Sequence, residues 1–411
     1  MELLIRQKPF ADESLESYLL RLSVENGFES YRVLSTLVYE WLLEQDLGAA
    51  GAFPRSLALV NVFHANRSSG LRIRALQLFE QLGKSESLPL LKLAVMHSSA
   101  TFGNRRTAVF RDGVDIPRSF IRKDGIPICP QCLAEEPYVR QCWHFTPYVA
   151  CHKHCLQLVA NCPGCGEVLD YQAREQIIHC RCSYNLRYAT SEVASPACLR
   201  LSRLVVGEPV EGDDPLAMTK NLPVRLGALL WSLKFNRLDG RGAEGETSEL
   251  LSAMEYFDRW PECLFEELEL RRRDFELRLS RGYNRSHFRE VFGDLLVDAR
   301  RLPMRDLGRN FVLRAIVDYL CELVHQHPKS KQSNIADVLL SMAEAAAVLS
   351  TNLEVVYRLY QEGFLVLAIR TKGRSKLEAQ TPAFRLRDVM ELRLARMQSQ
   401  NDGADRYLPA W

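Results

Sequence analysis

The sequence predicts a mainly α-helical protein in which two small metal-binding modules lie between helical segments. Three observations support this fold class. Apolar residues recur at helical spacing through most of the chain, paired cysteines are concentrated between Cys129 and Cys182, and a helix-turn-helix pattern occupies Ser341–Arg370. We therefore expect an N-terminal domain that resembles a helix-turn-helix, two structural zinc-finger modules, and a C-terminal helical region with a winged helix-turn-helix.

Length and charge limit the classes of protein that this chain can represent. With 411 residues it is long enough for two or more domains. Its 53 Lys and Arg residues nearly balance 51 Asp and Glu residues, so the formal net charge is +2. This balance argues against a protein that coats DNA through overall charge, although it is compatible with local basic patches.

Membrane insertion and secretion are not expected. The sequence has no apolar run of about eighteen residues that could form a transmembrane helix. Residues 1–13 lack the apolar segment of a signal peptide. Reduced cysteines that bind metal suit a cytoplasmic protein, which is the localisation we expect.

The helical periodicity and the positions of the cysteines divide the chain into four predicted segments. These are an N-terminal helical domain at 1–118, a double zinc-finger region at 119–190, a helical region at 191–335, and a helix-turn-helix with a basic tail at 336–411. Helices of the third segment are expected near 226–235, 250–257, 264–279 and 311–325.

The N-terminal segment has the pattern of several short helices. Asp12 is positioned to cap a first helix, and Asn26-Gly27 ends it. A second helix begins at about Tyr31, and after a Gly/Ala-rich break further helices are expected near 71–82 and 88–96. Tight connections between short helices are typical of a helix-turn-helix domain, and a small helical bundle without nucleic-acid contact fits the pattern equally well.

Four groups of closely spaced metal-binding residues follow one another in the central segment. They read CPQC from Cys129, CHKHC from Cys151, CPGC from Cys162 and CRC from Cys180. A short gap lets two ligands lie on one tight turn, and tetrahedral Zn²⁺ then takes a second pair from another turn. The spacing predicts two Zn²⁺ sites per chain, which we assign to Cys129, Cys132, Cys151 and His154, and to Cys162, Cys165, Cys180 and Cys182.

The first of these sites has alternative ligands. His152 could replace His154, and Cys155 could replace Cys151. We prefer Cys151 with His154 because that pair repeats a two-residue gap. Local packing or capping is expected for Cys142, His144 and His179, and burial in the apolar core for Cys198, Cys263 and Cys321.

Both sites are expected to stabilise the fold rather than catalyse a reaction. Each has four protein ligands, whereas a catalytic zinc keeps one coordination position open for water. The sequence contains no HExxH, P-loop or GxSxG motif, so we do not expect an enzyme. Aromatic residues between the first two groups are expected to form the small core that a zinc module requires, namely Tyr138, Trp143, Phe145 and Tyr148.

The C-terminal segment carries the helix-turn-helix pattern. MAEAAAVL predicts a compact first helix, Ser350–Asn352 a turn and cap, and LEVVYRLYQEG a second helix with Leu353, Val356, Leu359 and Tyr360 inward. FLVLAIR then alternates like the strand of a wing and leads into the basic TKGRSK. Glu354 and Glu362 would face phosphates on a recognition helix, so contact with protein is a serious alternative to contact with DNA. Candidate contact residues are Arg358, Lys372, Arg374 and Lys376.

Several motifs together resemble the TniQ family. The segment KPFADESLESYLLRLSVENGF contains an ESxxSxxxR motif followed by NG, and the resemblance continues through FPRS, PRSFIR, IPICPQCLAEEPYVRQCWHF and CHKHC. The order of the first cysteine pair, the tryptophan-containing aromatic stretch and CHxH is the most specific feature. The resemblance is strong over 1–190 and weaker over the helical remainder. The length of the chain and its C-terminal helix-turn-helix look most like the TniQ subunit of Tn7-like transposons that carry a type I-F CRISPR system.

This resemblance implies a transposon-targeting adaptor with structural zinc modules. Such a TniQ binds, as a homodimer, to the RNA-guided Cascade complex and recruits the AAA+ regulator TnsC, which admits the transposase to the target DNA. The adaptor would then contact target DNA mostly indirectly, and the near-neutral charge suits a protein that leaves target reading to guide pairing. The related TnsD attachment-site selectors, which bind a DNA sequence directly, are the alternative.

Overall fold

A computed structural model describes residues 3–83, 89–102, 107–237, 246–304, 307–368 and 378–401. As predicted, the fold is mainly α-helical. The α-helices in these ranges are α1 (Leu15–Glu25), α2 (Tyr31–Gln45), α3 (Leu47–Ala52), α4 (Ser69–Gly83), α5 (Leu90–Leu93), α6 (Pro130–Glu135), α7 (Tyr171–Arg174), α8 (Pro196–Val206), α9 (Pro215–Met218), α10 (Leu222–Arg237), α11 (Glu246–Asp258), α12 (Glu262–Arg278), α13 (Phe288–Phe292), α14 (Leu295–Arg300), α15 (Phe311–Gln326), α16 (Met342–Val348), α17 (Leu353–Gln361) and α18 (Leu386–Asn401).

Short strands form three small antiparallel sheets within the described residues. The strands are β1 (Met96–Thr101), β2 (Thr107–Arg111), β3 (Val114–Pro117), β4 (Ala150–Cys151), β5 (Leu156–Gln157), β6 (Leu339–Ser341) and β7 (Pro382–Arg385). The first sheet has the order β1-β2-β3, and the other two pair β4 with β5 and β6 with β7. None of the helices described here combines the length and the apolar character that a membrane span requires.

Helix α1 begins three residues after the predicted cap, Asp12. Ser14 is its N-cap, and the Ser14 hydroxyl accepts a hydrogen bond from the backbone N–H of Ser17. Asp12 does not cap this helix. Its carboxylate instead accepts hydrogen bonds from Tyr138 and Arg140 of the central segment. The helix ends at Asn26 as predicted, and Gly27 has the positive φ of 76° that a glycine adopts at little cost.

The Gly/Ala-rich segment is a helix and not the predicted break. Asp46 caps α3 by accepting hydrogen bonds from the backbone N–H groups of Gly48 and Ala49. Small side chains allow α3 to lie close to α4, since a Cβ atom added at Gly48 would lie 3.2 Å from Leu71. Capping and close packing therefore outweigh the low helix propensity of glycine here.

The prediction of a helix over 88–96 is wrong for most of its length. Only Leu90–Leu93 is helical, and β1 begins at Met96. Residues of β1 alternate between half-buried and exposed, which is the period-two pattern of a strand. The turn between β2 and β3 is Asp112-Gly113, and both residues have positive φ, at 43° and 85°. Asp-Gly favours this two-residue hairpin turn, so the sequence carried a signal for the sheet.

The four helices predicted between 191 and 335 are present as α10, α11, α12 and α15, with small differences at their ends. One hydrophobic core runs through the described residues from Leu3 to Leu392 in α18. Cys198 is buried in a smaller apolar cluster as predicted, whereas Cys263 and Cys321 are only half-buried. The domain boundaries at 118, 190 and 335 stay predictions.

The C-terminal helix-turn-helix consists of α16 and α17. Ser341 and Glu344 form a reciprocal capping box at the start of α16, and Asn352 caps α17 by accepting from the N–H of Val355. Val356 and Leu359 point inward as predicted, but Leu353 is exposed.

The predicted wing strand is absent from the described residues 364–368. Phe364 and Val366 are exposed and Leu365 is buried. Exposure therefore alternates along these residues although they do not form a strand. The adjacent sheet pairs β6 with β7 instead, and Ala368 donates one backbone hydrogen bond to Ala383. The remaining two residues of the predicted strand, at 369–370, lie outside the described ranges.

Candidate metal centres

The structure brings together the four residues predicted for the first metal site. The Nδ1 atom of His154 lies 3.5 Å from Cys129 Sγ, 3.3 Å from Cys132 Sγ and 3.5 Å from Cys151 Sγ. The sulfur atoms of Cys132 and Cys151 are 3.6 Å apart. With Zn–S bonds of about 2.3 Å, a tetrahedral ion places its ligand atoms about 3.5–3.8 Å apart. The spacing of these four atoms therefore fits one tetrahedral metal ion.

Two turns position the ligand atoms of the first centre. Cys129 immediately precedes α6, Pro130 occupies the first helical position where its missing N–H is tolerated, and Cys132 lies in the first turn. Cys151 ends β4, and the hairpin to β5 carries His154. Cys155 closes that hairpin in the left-handed conformation, with φ of 56° and a backbone hydrogen bond to Cys151.

The alternative ligands of the first site lie outside the cluster. His152 Nδ1 is 2.8 Å from the Tyr148 hydroxyl, and His152 Nε2 is 3.3 Å from Glu208. The group of mutually close ligand atoms contains neither His152 nor Cys155. Geometry therefore favours Cys151 with His154, as the two-residue gap suggested.

The second centre contains the other four predicted residues. Cys162 Sγ lies 3.6 Å from Cys182 Sγ, and Cys165 Sγ lies 3.6 Å from Cys180 Sγ. All four sulfur atoms lie within 4.8 Å of one another. Gly164 allows close packing in the first turn, because a Cβ atom there would lie 3.1 Å from the Tyr184 ring. Both centres could thus hold a metal ion through thiolate-rich sets of four donors.

Charged side chains outside each ligand set stabilise it. The Nε2 atom of His154 lies 2.9 Å from Oε1 of Glu135. Arg174 Nη1 lies 2.9 Å from Cys180 Sγ, and the same guanidinium donates to Glu167. A cation beside Cys180 offsets part of the negative charge that four thiolates carry around a divalent ion. Such neighbours orient the ligands and tune metal affinity.

In each centre, hydrogen bonds from neighbouring groups favour ionisation of one cysteine. Hydrogen bonds from Cys129 and Cys132 hold the pKa of Cys151 far below its usual range. Burial of Cys180 opposes ionisation, but the backbone N–H of Cys182 and the neighbouring thiols lower the pKa of Cys180 to about 6. Burial also opposes protonation of His154, yet hydrogen bonds to Glu135 and Cys151 raise its pKa. Clusters that stabilise thiolate suit a bound cation.

The two centres differ in exposure. The three cysteines of the first centre are buried, and they belong to the main hydrophobic core. In the second centre Cys165 and Cys182 are exposed. Tyr138, Trp143, Phe145 and Tyr148 are buried as predicted, and the last three belong to the same main core as the cysteines of the first centre. All three cysteines of the first centre therefore lie in the fold's interior, whereas the second centre extends from that core, where Cys162 and Cys180 are buried, to the surface.

The ESxxSxxxR residues connect α1 to this region. The buried Glu13 carboxylate accepts hydrogen bonds from the Ser17 hydroxyl at 2.9 Å and from Arg21 Nε at 2.8 Å. Ser17 Oγ accepts from the backbone N–H of Val139 at 2.8 Å, and Ser14 N–H donates to the Val139 carbonyl at 3.0 Å. The motif thus fixes the start of α1 against the chain between the first two ligand pairs.

A second connection was not predicted. The Tyr171 hydroxyl lies 2.9 Å from Ser14 Oγ and 2.9 Å from His144 Nε2, and all three side chains are buried. The sequence also did not predict that Glu135 would lie beside His154 or Arg174 beside Cys180. Glu135 lies one helical turn after Cys132 and could have been found from that spacing, but no sequence signal marks Tyr171 or Arg174.

The predicted contact residues of the C-terminal segment are only partly described. Arg358 lies on α17, is exposed, and has its Nε 3.9 Å from Glu362 Oε1. Lys372, Arg374 and Lys376 lie outside the described residues.

Comparison with known families gives one match. Residues 4–158 match the TniQ family model. This range contains α1, the first sheet and every ligand of the first centre, and it ends before the second centre. The matched range covers less than half of the chain, and the match supports a relationship to the TniQ family. A search of curated proteins found no match.

Proposed function

Because residues 4–158 match the TniQ family, we propose that this protein is a transposon-targeting adaptor that binds the RNA-guided Cascade complex as a homodimer. It recruits the AAA+ regulator TnsC and, through it, the transposase to target DNA. The main structural support for this proposal is that the N-terminal helix and the first metal centre of the matched region are held together by hydrogen bonds. Glu13, Ser14, Ser17 and Arg21 of the ESxxSxxxR motif fasten α1 to the polypeptide around the first metal centre.

The donor sets of the two metal centres are compatible with the adaptor proposal. We infer that Zn²⁺ is the ion at both sites. Three thiolates with one imidazole, and four thiolates, are the donor sets of structural zinc. Four protein donors satisfy a tetrahedral ion, so bound Zn²⁺ would supply folding free energy. Cys129, Cys132, Cys151 and His154 would hold one ion, and Cys162, Cys165, Cys180 and Cys182 the other.

Charge also supports protein partners over direct reading of DNA. The formal net charge is +2. On α17, Glu354 is exposed, and the exposed Arg358 has Glu362 within ion-pair distance at 3.9 Å. Carboxylates on the exposed face of a recognition helix would repel phosphates, so this face suits a protein surface.

A reconstitution experiment tests the proposal. The full chain, purified with its metal, is mixed with the cognate type I-F Cascade carrying guide RNA, and the product is analysed by size-exclusion chromatography with light scattering. We expect a complex with two copies of the chain for each Cascade, and retention of TnsC only when both are present. Absence of a complex with a Cascade that binds its target DNA normally would overturn the proposal.

The helix-turn-helix of α16 and α17 favours one second candidate, a TnsD-like selector that binds an attachment site directly. This candidate predicts a footprint on duplex DNA without guide RNA, with an affinity that falls steeply as salt rises. Arg358→Ala would then weaken DNA binding, whereas Arg285→Ala, which removes an exposed arginine elsewhere, would not. Under the adaptor proposal neither variant changes the weak, sequence-independent binding of duplex DNA.

A further inference from the structure

The second metal centre differs from the first in that two of its cysteines are exposed. Cys165 and Cys182 are exposed, whereas Cys162 and Cys180 are buried. In the first centre all three cysteines are buried within the main hydrophobic core. A small solute in water therefore meets the second set of thiols more readily than the first.

A groove beside the second centre adds to its accessibility. Its volume is ≈ 670 Å³, and Arg174, His179, Cys180 and Arg181 are among the residues that line it. His179 and Arg181 are exposed. The described residues of the lining include no carboxylate. Reactive cysteines lie in electropositive, partly exposed surroundings of this kind.

The sulfur atoms of this centre lie close together across its two turns. Cys182 Sγ is 3.6 Å from Cys162 Sγ, and Cys165 Sγ is 3.6 Å from Cys180 Sγ. Each exposed cysteine thus has a buried cysteine as a neighbour. Thiols that bind a cation are deprotonated, and the thiolate is the form that oxidants attack. An accessible thiolate with a second thiolate beside it is the arrangement of cysteines that form a disulfide on oxidation.

Arg174 makes the two pairs unequal. Its Nη1 atom lies 2.9 Å from Cys180 Sγ, so the guanidinium stabilises negative charge on that sulfur. A thiolate stabilised in this way is a weaker nucleophile. Cys162 has no side-chain cation as a partner within the described part of the chain. Cys162 is therefore the more reactive of the two buried cysteines, and its neighbour is Cys182.

We propose that the second centre is a site of reversible oxidation by hydrogen peroxide, which joins Cys162 to Cys182 and releases the metal ion. The Cys182 thiolate attacks one peroxide oxygen, the O–O bond breaks and hydroxide leaves, so Cys182 becomes a sulfenic acid. The Cys162 thiolate then attacks the Cys182 sulfur, forms the S–S bond and displaces a second hydroxide. Two thiolates thus lose two electrons in total, and one peroxide is reduced to two hydroxide ions.

The ion dissociates because it has lost two of its four donors. This modification goes beyond the adaptor function, but it rests on the ion that we propose for the second centre.

The disulfide would replace the ion as the link that encloses α7. That helix lies between the two pairs of ligands, and Glu175 at its end accepts a hydrogen bond of 2.6 Å from the backbone N–H of Tyr31, the first residue of α2. A bond between Cys162 and Cys182 encloses this segment as the ion does. We therefore expect the packing of α7 against the N-terminal helices to survive oxidation.

Peroxide treatment of the full metal-bound chain tests the proposal. The chain is transferred to neutral buffer without thiol and mixed with equimolar hydrogen peroxide. A chromophoric chelator then measures released metal, and peptide mass mapping locates disulfides. We expect release of about one of the two ions, at least about 10-fold faster than release of the other, together with a Cys162–Cys182 disulfide. A thiol reductant with added Zn²⁺ should restore the bound ion, and hydrogen exchange at the Tyr31 N–H should not change on oxidation.

Four variants provide matched comparisons. Cys182→Ser should release no metal at this dose of peroxide, whereas Cys155→Ser, which removes a half-buried cysteine outside both centres, should behave like the unaltered protein. Arg174→Ala should allow a Cys165–Cys180 disulfide to form alongside the first. Arg187→Ala removes an exposed arginine that donates to Asn185 instead, and it should leave the choice of disulfide unchanged.

Several results would overturn the proposal. These are retention of both ions, equal release from the two centres, a disulfide in the unaltered protein that excludes Cys182, or faster exchange at Tyr31 after oxidation. Metal analysis before treatment separates this proposal from the one on which it rests. A second centre without an ion would overturn both, whereas two bound ions that peroxide does not release would overturn only the oxidation.

Discussion

The Nε2 atom of His154 lies 2.9 Å from the Oε1 atom of Glu135, while its Nδ1 atom lies within 3.5 Å of three cysteine sulfurs. A carboxylate that accepts from Nε2–H leaves Nδ1 deprotonated and aimed at the ligand set. One helical turn of α6 supplies both Cys132 and this carboxylate, so the same helix provides a ligand and orients another.

Glu135→Ala should weaken metal binding at the first centre by about 10- to 100-fold. The variant keeps all four ligands but loses the group that fixes the histidine ring. Competition with a chromophoric chelator measures the affinity. Glu136→Ala, which removes the adjacent exposed carboxylate, should bind metal like the unaltered protein. Equal affinities of the two variants would show that Glu135 does not orient His154.

Ligand substitution should separate the two centres. Cys132→Ser and Cys165→Ser should each reduce the metal content from about two to about one ion per chain. Cys132→Ser should also destabilise the fold strongly because the first centre is buried in the main core, whereas the effect of Cys165→Ser should be smaller and local.

Elemental analysis and thermal unfolding provide these measurements. Cys155→Ser and His152→Ala are controls with sulfur or imidazole outside the cluster, and both should retain two ions. Loss of an ion from either control would reassign the first ligand set.

Tyr171→Phe should lower the free energy of unfolding by about 1–3 kcal/mol. The change removes one hydroxyl and leaves the buried Ser14 and His144 side chains without that partner. Chemical denaturation checks the value. Tyr188→Phe is the matched control, since Tyr188 is 75% exposed, and its effect should stay within about 0.5 kcal/mol.

Glu16→Gln should change how stability depends on pH. Burial raises the pKa of Glu16 to about 7, although Arg111 and the amides of Asn61 and Gln172 act in the opposite direction. The folded state therefore binds a proton more tightly than the unfolded state. Between the ordinary pKa of 4.5 and a pKa of about 7, the unfolded state carries fewer protons, so the free energy of unfolding falls as pH rises.

Glutamine has no proton to lose, so the stability of Glu16→Gln relative to the unaltered protein should rise by about 2 kcal/mol from pH 5.5 to pH 8. Denaturation at both pH values measures this difference. Glu25→Gln changes an exposed carboxylate on the same helix and should show no such trend. A constant difference for Glu16→Gln would mean that its carboxyl group is not desolvated in the folded protein.

Much of the fold followed from local patterns. Helices α1, α2, α10, α12 and α15 were predictable because their apolar residues repeat at helical spacing. The β1–β3 sheet was missed although Asp112-Gly113 signals a hairpin, because apolar residues before it suggested a helix. The wing strand after α17 was predicted from alternation, but a strand also needs a partner, and β7 pairs with β6.

The amino-acid sequence by itself determined the ligand set of the second centre and the first pair of the first centre, because short gaps confine each pair of donors to one turn whatever the rest of the chain does. The structure decided that Cys151 and His154, rather than Cys155 and His152, complete the first set. The sequence also determined the residues of the ESxxSxxxR motif, though not their contacts. Only the tertiary structure decided that Glu13 and Ser17 fasten α1 beside the first centre and that Tyr171 joins Ser14 to His144. Those partners are up to 157 residues apart in the chain, and contacts over such separations depend on how the helices pack, which no local spacing encodes.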